Sequence, residues 1–208
     1  MSETGQWSFL QGFCMTEDSQ VWGPFVAQLR DLAVLRDLDP DQLPPHEEGW
    51  LLLPCSDGHR FRDMWNYHLE KCGRGPCHHP LSYLGGALAL GDPLSPLAIT
   101  KRGFRADEVL LDAIGDSLEF KHLRNIAAYT HFPCSAAGAA KLSPREQFDL
   151  FEKASIRLHK QFSQTRVVAF CHVHYPDNRF RTYFADIKLY GELRSTGRLD
   201  NITVQECA

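Results

Sequence analysis

The amino-acid sequence predicts an α/β domain with a central, mostly parallel β-sheet flanked by helices. Three observations support this class: short apolar runs typical of buried strands, amphipathic helical segments between them, and a length that one sheet can organise. The 208 residues fit one domain, or one domain with an arm, and can bury a substantial core. We divide the chain into an N-terminal arm and helix, residues 1–45, and an α/β domain, residues 46–208, within a single globular unit.

The N-terminal half is predicted to contain a helix, a buried strand and a second helix. Residues 16–19 supply capping side chains, and the apolar residues after them recur at helical spacing until a loop begins near Pro40. Trp50–Leu53 is a short apolar run typical of a buried strand, and helical spacing resumes after Cys55. Residues 81–88 are predicted to form another short strand that runs into a glycine turn.

The C-terminal half continues this alternation of strands and helices. The polar tail from Gly191 should be extended, and the complete sheet should hold four or five strands. The predicted elements are a helix that Asp107 caps, a strand at 124–130, a long helix from Pro144, a strand at 166–175 and its hairpin partner at 181–187.

Charge and composition narrow the range of partners. The chain carries 22 Lys and Arg against 26 Asp and Glu, a net charge of −4, without a basic block, so nucleic acid is not an expected partner. The longest apolar runs are shorter than a membrane span, and the N-terminus is acidic and polar, unlike a signal peptide. We therefore expect a cytoplasmic protein with no membrane partner. Its seven cysteines, not spaced like a disulfide framework, should be reduced and available to bind metal.

Two of the predicted strands end at polar turns that carry metal-ligand side chains. Cys55 and Asp57 follow the first strand, and His131 and Cys134 follow the second. Thiolate, imidazole and carboxylate together suit tetrahedral zinc, whereas two thiolates argue against magnesium and calcium. Either pair alone is a weak signal, because a cysteine after an apolar strand is more often a small buried hydrophobe. If the two strands are parallel neighbours, their carboxyl ends place all four side chains side by side.

The order Cys-x-Asp, a helical region, then His-x-x-Cys at the end of a later strand resembles the β-class carbonic anhydrases. The resemblance covers about residues 50–190 and includes the small residues after Cys134. It implies a β-carbonic-anhydrase-like α/β zinc lyase that converts carbon dioxide reversibly to bicarbonate by zinc-bound hydroxide, and that assembles as a homodimer or higher homo-oligomer. It also implies one Zn²⁺ per chain, bound by Cys55, His131 and Cys134, with water or Asp57 in the fourth position.

Two positions differ from the family pattern. The family has Cys-x-Asp-x-Arg, in which the arginine keeps the aspartate off the metal, but here His59 stands at the arginine position and Arg60 follows it. A neutral imidazole cannot grip a carboxylate as a guanidinium fork does. We expect His59 or Arg60 to position Asp57, which would orient the zinc-bound hydroxide. Ser135 stands where the family usually has glycine.

Two further functions fit the same ligands. In a non-catalytic zinc domain that binds a partner, Asp57 would close the fourth position on the metal. In a related enzyme, the metal would hydrolyse another small heterocumulene such as carbon disulfide. All three functions remain open from the residues alone.

Two clusters of ligand-type residues lie outside this set. His172 and His174 share one face of the third predicted strand, where a hydrogen-bonded sheet histidine is the expected role. The other cluster could form a second zinc site, although its spacing favours a loop with a histidine lining the cleft. Its members lie in a Gly/Pro-rich stretch: Cys72, Cys77, His78 and His79.

Overall fold

A computed structural model describes residues 15–44, 46–72, 78–100 and 102–199, and the strands among them pair into one sheet. Strands β3, β2, β4 and β5 are parallel, whereas β6 and β1 add an antiparallel edge. The order across the sheet is β1-β6-β5-β4-β2-β3. The predicted fold class is confirmed. The strands are β1 Leu35–Asp37, β2 Trp50–Leu53, β3 His78–Pro80, β4 Asn125–Phe132, β5 Arg166–His174 and β6 Phe180–Ala185.

Helices cover both faces of the sheet. On one face Met64 of α2 packs in an apolar cluster with residues of β2, β4 and β5 such as Trp50 and Tyr129. The other helices pack in a larger cluster on the opposite face. The two covered faces make a three-layer arrangement, as expected for a mainly parallel sheet. The helices are α1 Met15–Asp31, α2 Gly58–Cys72, α3 Ala106–Phe120, α4 Ser135–Ala139, α5 Pro144–Gln161 and α6 Ile187–Ser195.

The central strands are buried along their whole length. All four residues of β2 and all eight of β4 are buried, which explains why their sequences are continuous apolar runs without alternation. Leu51 pairs with Ile126 and Leu53 with Ala128, so the two strands run in register. From β2 the chain moves outward to β3 and then returns to β4 on the other side of β2. This reversal is where α/β sheets open a crevice at the carboxyl ends of their strands.

Local sequence signals also fix the start of the longest helix. Ser143 caps α5, and its hydroxyl accepts a hydrogen bond from the Glu146 amide at 3.2 Å. The Glu146 carboxylate accepts one from the Ser143 amide at 2.8 Å, which completes a capping box. Pro144 occupies the first helical turn, as the sequence predicts.

The sheet is larger than predicted, and one predicted strand is wrong. The described residues form six strands. The two that the sequence does not predict, β1 and β3, have three residues each and are too short to show alternation. Residues 81–88 do not form a strand: Tyr83 makes a single bridge with Cys55, and Gly86–Leu90 is a 3₁₀ helix. All five residues of this 3₁₀ helix are buried, so tertiary packing overrides the local pattern.

Two predicted ends also differ from the structure. Helix α1 stops at Asp31, because Ala33 adopts a left-handed φ of 57° and the chain turns directly into β1. The part of the tail after Gly191 that the structure describes is not extended, since α6 continues through it to Ser195. Burial of apolar side chains on one side of α6 stabilises this helix despite its polar sequence.

Among the described helices, none combines the length and the apolar composition that a membrane crossing requires. The predicted N-terminal arm before residue 15 lies outside the described residues. Within the predicted segment 1–45, residues from Met15 onward supply α1 and the edge strand β1 of the same sheet.

Asp107 is the centre of a buried ion group and is not a helix cap. Arg105 is the N-cap of α3, and its Nε and Nη2 each donate to the Asp107 carboxylate at 2.8 Å. Arg157 of α5 donates to the same carboxylate at 2.8 Å and to the Leu90 carbonyl oxygen at 3.2 Å. Hydrogen bonds from Arg105, followed by those from Arg157, lower the pKa of Asp107 to about 2 despite burial. The group joins α3, α5 and the 3₁₀ helix.

We expect Asp107→Asn to lower the free energy of unfolding at pH 7 by about 2 kcal/mol. The carboxylate has a lower pKa in the folded chain than its ordinary 3.8, so its stabilisation is complete above about pH 4. That stabilisation disappears as the pH falls towards 2. Urea unfolding of the wild type and the variant should therefore show a difference in the free energy of unfolding that shrinks as the pH falls from 4 to 2.

The control is Asp112→Asn, because Asp112 is exposed on the same helix. The free energy of unfolding of this variant should stay within about 0.5 kcal/mol of the wild-type value. An Asp107→Asn protein that loses as much stability as the wild type between pH 4 and pH 2 would contradict the assignment.

Candidate metal centre

Three ligand-type side chains meet at the carboxyl ends of β2 and β4. The ligand atoms of Cys55, His131 and Cys134 all lie within 4.8 Å of one another, and all three side chains are buried. Cys55 follows β2 by two residues, His131 is the penultimate residue of β4, and Cys134 caps the short helix α4. The parallel pairing of β2 with β4 brings the two turns together.

The donor atoms of these residues fit a metal ion. His131 is 1% exposed, and neither of its ring nitrogens has a hydrogen-bond partner within the described part of the chain. A buried polar atom without a partner is destabilising by roughly 1–3 kcal/mol, so native proteins rarely keep one unless a ligand or water satisfies it. Two sulfurs and an imidazole nitrogen are the ligands that zinc prefers. The group could therefore hold a metal ion.

The two cysteine thiols are electrostatically unequal. The Cys134 thiol donates to the Cys55 sulfur, and this bond together with nearby His131 lowers the pKa of Cys55 against the effect of burial. The pKa of Cys134 is raised, first because of the Cys55 thiolate that its proton binds and then because of burial. The pair therefore favours one thiolate near neutral pH, and the thiolate is the form that binds metals.

The backbone around Gly85 and Gly86 holds Cys55 in place. The Gly85 amide donates to the Cys55 sulfur at 3.3 Å, and the Ser56 amide donates to the Tyr83 carbonyl oxygen at 2.9 Å. A Cβ on Gly86 would lie 2.7 Å from the Cys55 nitrogen, and its φ is +58°. From the sequence we predict only a glycine turn here. The adjacent glycines after an apolar stretch were the available signal of close backbone contact.

A buried amide supports the strand that carries His131. Gln147 of α5 is 3% exposed, and its Nε2 donates to the His131 carbonyl oxygen and to the Thr130 hydroxyl, both at 2.9 Å. This contact ties the end of β4 to α5. In the sequence, the only sign of Gln147 is weak: a polar residue between the apolar positions of a helix.

Asp57 lies beside the three ligand-type residues without joining them. Its carboxylate does not belong to the group of described atoms within 4.8 Å. The Ser135 hydroxyl donates to Asp57 Oδ2 at 3.3 Å, and the Asp57 carbonyl oxygen accepts from the Arg60 and Phe61 amides at the start of α2. Ser135 directly follows Cys134, so a hydroxymethyl side chain stands where glycine would have only a hydrogen.

Arg60 is a buried guanidinium close to Asp57. Its residue is 8% exposed, burial lowers the pKa of Arg60, and the charges of Asp57 and Asp63 act in the opposite direction. Arg60 is thus the described basic residue whose charge interacts with Asp57. The side chain of His59 lies outside the described residues.

The remaining histidines have separate positions. His172 is fully buried, and its Nδ1 lies 2.9 Å from the Thr182 hydroxyl. Burial, with smaller effects of the charges of His131, Arg60 and His174, lowers the pKa of His172 to about 3 and keeps its imidazole neutral.

The stretch expected to be a loop, with a second zinc site as the alternative, lies partly outside the described residues, and its described end is a strand. Cys77 and the side chain of Cys72 are outside the described residues, whereas His78 and His79 begin β3. The His78 ring lies 5.1 Å from the ring of buried His68, whose Nδ1 is 2.8 Å from the Tyr129 hydroxyl. These contacts place His78 next to α2.

No protein-family model and no curated protein matches this sequence. Among solved structures, the β-carbonic anhydrase CafD of the filamentous fungus Aspergillus fumigatus is similar to it at 14% identity, covering 72% of this chain and 98% of that chain with a TM-score of 0.42. The apo form of a carbon disulfide hydrolase is similar at 12% identity, covering 86% of this chain and 94% of that chain with a TM-score of 0.38. Both likenesses are remote.

We expect Gly86→Ala to destabilise the chain strongly. The added Cβ would lie 2.7 Å from the Cys55 nitrogen and 2.8 Å from the Pro54 carbonyl carbon, both rigid backbone atoms. The left-handed backbone conformation should destabilise the variant by about 1–2 kcal/mol, and the overlap of the new Cβ with the backbone by roughly a further 1–3 kcal/mol. Urea unfolding measures the sum.

Gly103→Ala is the matched control. Gly103 also has a positive φ, of +80°, but an added Cβ there would meet nothing within 4 Å. The free energy of unfolding of Gly103→Ala should fall only by the backbone contribution of about 1–2 kcal/mol. Equal losses in the two variants would show that Gly86 does not press against the Cys55 turn.

Proposed function

We propose that this chain is a zinc-dependent lyase related to the β-class carbonic anhydrases, which hydrates carbon dioxide reversibly to bicarbonate. The observation that carries the proposal is the buried set of Cys55, His131 and Cys134, within 4.8 Å of one another, with both His131 nitrogens lacking partners among the described residues. Three protein ligands leave a tetrahedral metal one open position, which is the arrangement of catalytic zinc sites. The resemblance seen in the sequence further implies a homodimer or higher homo-oligomer.

Zinc is the metal that best fits these three side chains. Two thiolates and one imidazole favour a borderline metal with tetrahedral geometry and disfavour Mg²⁺ and Ca²⁺, which bind oxygen atoms. When bound, zinc lowers the pKa of a coordinated water so that hydroxide is available near neutral pH. The low pKa of Cys55 means that one ligand is already deprotonated at that pH.

Asp57 is the residue that we assign to orient the attacking water. Its carboxylate lies at the edge of the ligand group, on the hydroxyl of Ser135, and can accept a hydrogen bond without occupying a ligand position. Arg60 supplies a buried positive charge that interacts with this carboxylate more strongly than an exposed charge would. His59 remains the alternative basic partner of Asp57.

The position of Asp57 favours the enzyme over a non-catalytic zinc domain. In the non-catalytic alternative Asp57 would be the fourth ligand, and its oxygen would lie among the other three ligand atoms. In the structure it lies outside that group of described residues and bonds to Ser135 instead. A metal bound by the three ligands would therefore keep its fourth position for water and substrate.

Protein purified without added metal should contain about one zinc ion per chain. The double variant Cys55→Ala with Cys134→Ala should contain none, because it removes two of the three ligands. Elemental analysis of the dialysed proteins measures both. Cys171→Ala is the matched control: Cys171 is a buried β5 thiol whose pKa is raised by burial, and it is not in the ligand group. A wild-type protein without zinc, or a double variant that retains zinc, would refute the site.

In a stopped-flow assay with a pH indicator, the zinc-loaded protein should accelerate hydration of carbon dioxide. Asp57→Asn should reduce the rate by roughly 10²-fold without loss of zinc, because it removes the acceptor and not a ligand. Arg60→Ala should reduce it less, since Ser135 still binds Asp57. Asp116→Asn, at an exposed site on α3, is the control.

The same assay separates the alternatives. Zinc-loaded protein with no rate above buffer on any heterocumulene would establish the non-catalytic domain. Turnover of carbon disulfide without turnover of carbon dioxide would replace the proposed substrate while leaving the metal site intact.

A further inference from the structure

His172 is the nearest strand neighbour of His131, and the proposed function gives it no role. The two residues are paired in register on parallel strands β4 and β5, so their side chains lie on the same face of the sheet. Both are almost completely buried, with exposures of 0% and 1%. Two imidazoles side by side in the interior need hydrogen-bond partners, which makes their ring nitrogens informative.

Only one of the two ring nitrogens of His172 has a hydrogen-bond partner among the described residues. Its Nδ1 lies 2.9 Å from the Thr182 hydroxyl on β6, whereas its Nε2 is buried without a hydrogen-bond partner among the described residues. If Nδ1 carries the proton and donates it to the hydroxyl oxygen, Nε2 presents a lone pair. The neutral imidazole of His172 then offers one buried acceptor on the His131 side of the sheet.

His131 needs such an acceptor if it binds zinc. A histidine ligand uses one ring nitrogen for the metal, and the other carries a proton that is normally donated to an oriented acceptor. Both nitrogens of His131 are buried, and the described residues supply neither with a partner. The contact of Gln147 with His131 is to the backbone carbonyl oxygen and does not orient the ring.

We infer that His172 is a positioning residue for His131, which it reaches through one ordered water. The water would accept the proton of the His131 nitrogen that does not bind zinc and donate to Nε2 of His172, while Thr182 holds the His172 ring in the Nδ1–H tautomer. The two rings make no direct hydrogen bond, and a water between two buried ring nitrogens would have the polar partners that a buried water needs. The inference rests on the proposed zinc site and adds an outer layer to it.

Zinc affinity is the readout that tests this role. His172→Phe keeps a flat buried ring and removes the acceptor, so the zinc dissociation constant should rise roughly 10–100-fold. Thr182→Val keeps the shape of the side chain and removes only the hydroxyl, and it should raise the constant by a smaller factor. Thr182→Ser restores the hydroxyl and should return the constant to near the wild-type value. Competition with a chromophoric zinc chelator measures all of these constants.

His68→Phe is the matched control. His68 is also buried, with one nitrogen 2.8 Å from the Tyr129 hydroxyl and the other without a partner among the described residues, and it is not in the ligand group. Its loss should lower stability without changing zinc affinity. A second measurement, ¹⁵N NMR of the imidazoles in the zinc-loaded protein, should show His172 protonated at Nδ1.

The possible results are distinct. Zinc constants within twofold of the wild type for both His172→Phe and Thr182→Val, or a His172 proton on Nε2, would overturn the positioning role and leave the zinc site standing. A wild-type protein that binds no zinc would instead overturn the proposed function and, with it, this inference.

Discussion

The parallel pairing of β2 with β4 is the constraint on which the candidate site depends. Cys55 belongs to the turn after β2, and His131 and Cys134 lie 76 and 79 positions further along the chain, so no local interaction joins them. The in-register ladder from Trp50 to Leu53 delivers both turns to one edge of the sheet, where the strand order reverses. A slip of one residue would turn the side chains of one strand to the opposite face and separate the ligands. Complete burial of both strands makes such a slip costly.

Polar contacts around this ladder turn a pair of strand ends into a defined site. The Gly85 amide bonds to the Cys55 sulfur, and Gly86 allows two backbones to approach more closely than any side chain would permit. On the other side Gln147 bonds to the His131 carbonyl oxygen from α5. The helix α5 is itself tied to α3 through Asp107 and its two arginines. Rigid backbone and satisfied buried groups hold the ligand atoms in place, as metal sites require.

The two faces of the sheet have different chemistry. The face under α1, α3, α5 and α6 supplies most of the apolar core. The face under α2 carries aromatic rings and imidazoles, from Trp50 and His68 towards His131 and His172. On that second face Trp50 and His68, and further along the strands His131 and His172, each have a ring nitrogen without a hydrogen-bond partner among the described residues. The thiols of Cys55 and Cys134 belong to the apolar cluster on the opposite face, so the candidate site joins both faces at the carboxyl ends of β2 and β4.

The sequence by itself determined the elements whose signals are local. The continuous apolar runs of β2 and β4, the capping box at Ser143 and the ligand spacing within each turn are all readable without the fold, because neighbouring residues decide them. Only the tertiary structure decided which strands are neighbours, since pairing joins residues far apart in the chain. It also made Gly86–Leu90 a 3₁₀ helix, because Gly86 must pass against the Cys55 backbone, and α6 a helix, because one side of it is buried. Asp57 bonds to Ser135 rather than joining the thiols for the same reason: contacts across the fold outweigh spacing along the chain.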